Sequence, residues 1–239
     1  MKYLIFFYLS VIYSCSILSP IKPYEILSSD HCMITVSDEK ISRNQFKRIL
    51  DNAETAFLKV TNETGLKYSL KIPIIYDENR TELSIPSSAY VHFNTIYIQS
   101  VLFNQSDNQL IETLCHEITH VLMIGIFGIS DSFLTTEGSA MFWNKPKNTR
   151  EVQNLSLKNL VELSYYQLFL DNTRQKNPDY IYYCYQLSGL FAVYWINEFG
   201  WDHLFKLYRE LTPQNAIQKI AELSGKPFIE IENIIKERF

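Results

Sequence analysis

Residues 106–128 read SDNQLIETLCHEITHVLMIGIFG. Ser106, followed three positions later by Gln109, has the form of a capping box. The serine side chain takes an orphan backbone N–H at the helix start, and the glutamine reaches back to the serine's own N–H. Leu110, Leu114, Ile118, Val121 and Leu122 then recur at helical spacing, so the stretch is predicted to be an amphipathic helix. Gly125 and Gly128 are expected to break it.

Inside this helix lies His116-Glu117-Ile118-Thr119-His120, an HExxH sequence. Four residues turn an α-helix by roughly 400°, so both imidazoles leave one face about 6 Å apart. Two neutral ring nitrogens can then meet one zinc ion at about 2.0–2.1 Å. Glu117 occupies the adjoining strip, beside such a metal rather than on it. A carboxylate there can take a proton from a water whose pKa the metal has lowered. The bland alternative is a helix with two surface histidines, because so short a pattern recurs by chance.

Downstream, Thr135-Thr136-Glu137-Gly138-Ser139-Ala140 carries a carboxylate 17 positions after His120 (137 − 120). Gly125, Gly128 and Ser130-Asp131-Ser132 supply a reversal. The next helix, expected over about 132–144, can therefore run back along the first and present Glu137 to the metal. Small Gly138 and Ala140 would let those helices approach closely. Asp131 is the rival third ligand, placed in the turn.

HExxH with a following Glu-Gly-x-Ala resembles the gluzincin metallopeptidases. The resemblance implies a zinc ion held by His116, His120 and Glu137, Glu117 as general base, and a peptide or protein substrate. The family's commonest spacing is two residues longer. Tyr185-Gln186-Leu187-Ser188, opening a helix that stops at Gly200, is similar to a tyrosine-led helix of aminopeptidase-like members. On that register Tyr185 donates to the developing oxyanion. Tyr180, Tyr182 and Tyr183 crowd the same segment, and an aromatic core is the competing reading. In this family the strand before the metal helix lines the cleft, and 89–99 (AYVHFNTIYIQ) matches it. The Gly-x-Met-Glu-Asn motif of the aminopeptidases is absent, which favours internal cleavage or a specificity of another small-gluzincin kind. A metzincin arrangement is excluded, since the required glycine and histidine do not follow His120.

The rest of the chain sets the fold class. Phe46, Ile49, Leu50, Ala53, Phe57 and Val60 predict a helix over 42–64, stopped by Gly65. Residues 68–76 (YSLKIPIIY) predict a strand, with Pro73 favouring an edge or a bulge. Residues 89–99 predict a further strand or hairpin. Beyond Ser106 helices follow at about 132–144, 156–171, 180–199, 203–211 and 213–237, the last interrupted near Gly225 and starting at a Thr212 cap with Pro213 behind it. The expectation is an α+β fold of one domain over 16–239. A small N-terminal α/β sheet layer with the HExxH helix (16–128) packs on a mostly helical C-terminal half (129–239), around a thermolysin/gluzincin-like catalytic core.

Composition excludes other classes. Only 7 Gly against 16 Tyr and 15 Phe argues against glycine-rich phosphate loops. A net charge of −4 with no basic face excludes nucleic acid as a partner. Met1-Lys2 and the apolar run Tyr3 to Tyr13 read as an export signal over 1–15. Ile12-Tyr13-Ser14-Cys15 looks like a bacterial lipobox, which would place the chain on the cell envelope through lipid at Cys15; the alternative is an ordinary cleaved signal and a periplasmic or secreted chain. Cys32, Cys115 and Cys184 are odd in number, so no disulfide framework is expected, and Cys115 reads as a buried thiol. His31 and His203 read as solvated, and His92 as a surface strand residue or a cleft residue. Glu112 reads as a partner orienting an imidazole or as an exposed helix carboxylate. The rival functional reading is an exported lipoprotein that keeps the gluzincin shape as a non-catalytic binding module, although intact Glu117 argues against it.

Overall fold

The computed structural model describes residues 25–36, 41–78, 89–162, 164 and 178–238. The export signal and lipobox expected over 1–15 lie outside these residues, as does most of the second half of the helix expected over 156–171. The fold is α+β, with a mixed five-stranded sheet toward the N-terminal side and helices dominating the C-terminal half.

The sheet is built from β1 (Glu25–Ser28), β2 (Cys32–Val36), β3 (Ile72–Tyr76), β4 (Ala89–His92) and β5 (Thr95–Ile98), in the order β1-β2-β3-β5-β4. The two outer pairs are antiparallel hairpins, and β2-β3 and β3-β5 are parallel. Along the inner strands alternate residues point one way: Cys32 and Ile34, Ile72 and Ile74, and Ile96 and Ile98 are all fully buried. Against that face lie two long helices, α1 (Arg43–Thr64) and α2 (Asp107–Phe127), packed side by side, with α1 also on β2 and α2 also on β4 and β5.

Both helices start as their sequences dictate. Ser42 and Gln45 form a complete capping box on α1, and Ser106 and Gln109 form one on α2. Gly65 ends α1 at φ +71, a left-handed conformation that glycine adopts without a Cβ clash.

Several sequence expectations are corrected. β1 and β2 are strands absent from the sequence expectations, although Cys32–Val36 (CMITV) is a short apolar run. β3 is a central strand, not an edge, although it contains Pro73. The Ile72 N–H donates to His31 O on the β2 side at 2.8 Å. Successive N–H groups alternate sides, so position 73 faces β5, whose pairing with β3 begins only at Ile74. No ladder donor is missed there. Gly125 does not break α2, which continues to Phe127; a Cβ at Gly125 would lie 2.7 Å from the Tyr68 ring. The glycine is therefore a seat for that ring, and the break falls at Gly128.

The C-terminal half comprises α3 (Phe133–Met141), a 3₁₀ turn (Phe142–Asn144), two short helices α4 (Arg150–Gln153) and α5 (Leu157–Val161), then α6 (Pro178–Phe199), α7 (Trp201–Glu210), α8 (Ala216–Ser224) and α9 (Phe228–Arg238). Thr212 and Pro213 do not start a helix. Asn215 closes them into a turn, its Oδ1 accepting from Thr212 N at 2.8 Å and its Nδ2 donating to Glu210 O at 2.9 Å, and α8 begins at Ala216. Buried apolar side chains form one continuous cluster running from Leu27 in the sheet to Ile235 in α9.

Candidate metal centre

α2 turns Leu114, Ile118, Val121 and Leu122 into the core and leaves His116 and His120 at the edge of that buried face. The chain reverses at Gly128, where the Tyr208 hydroxyl of α7 donates to the Gly128 carbonyl at 3.1 Å. Ser132 then caps α3, its Oγ accepting from Thr135 N at 3.4 Å. Every residue of α3 is buried, including Thr135, Thr136, Glu137 and Ser139. A carboxylate on such a helix is costly unless something compensates its charge.

What faces Glu137 is the pair of histidines. The two Nε2 atoms lie 3.2 Å apart, and Glu137 Oε2 lies 3.3 Å from His120 Nε2 and 3.6 Å from His116 Nε2. Two ligands of a tetrahedral ion with bonds of about 2.0–2.1 Å are separated by about 3.3–3.4 Å. The three atoms therefore already form one face of a tetrahedron of that size. Glu137 Oε2 is buried, and beyond those two ring nitrogens it has no hydrogen-bond partner. His116, His120 and Glu137 could hold a metal ion.

The charges are poised accordingly. Burial opposes ionisation of Glu137, yet His120 and then His116 hold its carboxyl well below the usual range. Burial likewise disfavours charge on His116, but the hydrogen bond and charge of Glu137 and the charge of Glu117 leave it above its ordinary value. Glu117 moves the other way: burial, seconded by the Glu137 charge, pushes it up against the pull of both histidines. It is buried on α2 between the two ligands in sequence.

The predicted residues thus come together in part. The ligand group contains both histidines and Glu137, and Asp131 is exposed in the turn and outside it. Tyr185 is half-buried on α6, its ring edge-on to Phe133 at 5.3 Å, one turn before Glu137 on α3. Gly138 does bring helices together, but the close neighbour is α6 rather than α2: a Cβ there would sit 2.6 Å from Ser188 O. The 89–99 stretch folds as the hairpin β4–β5; among the described residues β4 is the sheet edge, and it packs on α2. His92 is exposed at the end of β4, beside Phe93, whose φ is +55. His31 is not simply solvated. It stacks on Phe57 and pairs through Nδ1 with Glu54, which also accepts from Ser29 Oγ at 2.7 Å and His31 N at 3.0 Å. His203 is exposed, as expected.

Sequence reasoning missed Asn144, whose Oδ1 lies 3.0 Å from His116 Nδ1. Glu112, left open between two roles, pairs with Lys145 at 2.7 Å. No family profile matches the chain, and no curated protein is significantly similar to it.

Proposed function

We propose that this chain is a zinc-dependent peptidase of the gluzincin type, with His116, His120 and Glu137 as ligands and Glu117 as general base. The observation that carries the reading is the triangle of ligand atoms at 3.2, 3.3 and 3.6 Å, closed by an otherwise unpartnered carboxylate oxygen. Two imidazoles and one carboxylate, with a fourth position open, suit catalytic zinc. When bound, zinc supplies Lewis-acid chemistry, lowering the pKa of water toward 7 and polarising a carbonyl. Glu117, its affinity for protons raised by burial, accepts the proton of the attacking water and delivers it to the leaving amine. The Tyr185 phenol donates to the carbonyl oxygen as negative charge develops there. The edge strand β4 receives an extended peptide by main-chain pairing, one strand away from β5. Export through residues 1–15 and lipid at Cys15 belong to the same proposal, and set the peptidase on a cell envelope.

The test is zinc content of the chain lacking residues 1–15, beside His120→Ala, Glu137→Ala and Glu117→Gln variants. Near-stoichiometric zinc that is lost in the first two variants, with hydrolysis of a peptide library lost but zinc kept in Glu117→Gln, is the expected pattern. A folded chain that takes up no zinc overturns the reading. Zinc without hydrolysis in any form would leave the binding-module alternative.

A further inference from the structure

Three consecutive residues after α3 reach back to α2. Trp143 Nε1 donates to Thr119 Oγ1 at 2.7 Å, His116 Nδ1 meets Asn144 Oδ1 at 3.0 Å, and Lys145 Nζ donates to Glu112 Oε1 at 2.7 Å. Glu112, His116 and Thr119 stand at i, i+4 and i+7, so the contacts climb one face of the metal helix while the turn descends it. The turn is held against its own preference. Lys145 has φ +50 and ψ +70, and it precedes Pro146, which further disfavours that region. Such a conformation persists where its surroundings over-determine it. On the far side the Lys147 N–H donates to the buried Gln186 Oε1 at 2.7 Å, tying the same strap to α6.

Building on the zinc reading, we propose that Asn144 is a positioning residue for the metal centre: it accepts from His116 Nδ1–H, fixing the tautomer in which Nε2 carries the lone pair that ligates. An imidazole partner of this kind sets both ring direction and donor strength. The partner here is a neutral carboxamide, so His116 is a weaker donor than a carboxylate partner would make it. The site is thereby aligned by Asn144 but kept below the affinity that the same geometry could reach.

The experiment is zinc affinity of the purified chain, read by competition with a chromophoric chelator, for wild type, Asn144→Ala, Asn144→Asp and His120→Ala, beside the melting temperature of each metal-free protein. Asn144→Ala should bind zinc about 10–100-fold more weakly, with the metal-free melting temperature little changed. Asn144→Asp, which can only accept, should bind at least as tightly as wild type. Asn144→Ala within threefold of wild type overturns the proposal while leaving the zinc reading standing. Asn144→Asp as weak as Asn144→Ala also overturns it, because the amide would then be acting through its N–H₂. Wild type binding no tighter than His120→Ala removes the zinc reading itself, and this proposal with it.

Discussion

At the scale of single residues, Glu54 is a polar group outside the metal centre that accepts from the Ser29 hydroxyl and from both the ring and the backbone N–H of His31. Burial alone would raise its pKa, but the Ser29 hydroxyl, the His31 ring and the His31 backbone N–H outweigh it and hold the carboxyl below its ordinary value. A carboxyl held lower in the folded than in the unfolded state stabilises the protein above its unfolded pKa of about 4.3, and that contribution is lost as pH falls through the folded value. Glu54→Gln should therefore cost on the order of 1 kcal/mol at neutral pH. Urea titrations at several pH values check this: the gap between wild type and variant should hold from pH 7 to about 5 and close below about 4. A gap that is the same at all pH values would mean that shape, not charge, anchors the hairpin of β1 and β2. Phe93 shows the opposite economy. It is 65% exposed at the first position of a two-residue hairpin turn, with a φ that favours glycine.

At the scale of elements, the position of Glu137 depends on how closely α3 lies on α6. Gly138 permits that approach, because a Cβ would stand 2.6 Å from Ser188 O and 3.4 Å from Ala192 Cβ. A backbone oxygen cannot swing aside, so Gly138→Ala should move α3 or strain it, at about 1–3 kcal/mol. The expected readout is a lower urea midpoint at an unchanged m value, together with weaker metal uptake, because Glu137 is the adjacent residue. A variant as stable as wild type would show that α3 and α6 slide freely, and that Gly138 does not set where Glu137 lies. What was legible in the sequence follows the same division. The start of α2, its histidine pair and the helix of Glu137 rest on local signals: a capping box, a four-residue spacing and a glycine- and serine-marked reversal. The identity of the helix that Gly138 faces was not legible, because closeness shows in a sequence only as smallness. Asn144 gave no signal at all, since its role exists only once a turn and a helix distant in sequence have met. Pro73 misled for a related reason: its tolerance in a central strand depends on where the pairing of a neighbour begins.

At the scale of the whole molecule, one contiguous core joins the sheet half to the helical half. All three described cysteines are inside it and at most 1% exposed. Burial pushes the Cys32 and Cys115 thiols up to about 12, far from the reactive thiolate. Cys32, Cys115 and Cys184 should thus resist a maleimide in the native protein and all label across one denaturant transition, as read by peptide mass mapping. Labelling of Cys184 ahead of the others would show that the helical half opens separately. The metal helix has a further consequence, felt during synthesis. The most apolar 18-residue stretch of Asp107–Phe127 has a mean hydropathy of 1.4, and among the described residues this is the one helix long and apolar enough to cross a membrane, although half of that stretch is buried in the protein. Of the elements that pack on it, α1, β4 and β5 precede it whereas α3 and the 3₁₀ turn follow, so the ribosome delivers this sticky segment to a seat that is half made. The third ligand has no such luck. Its helix waits for α6, which at about 5–20 residues per second emerges seconds later. The side of α2 turned to α1 and the sheet is thus covered first, and the side that carries the two histidines is finished last.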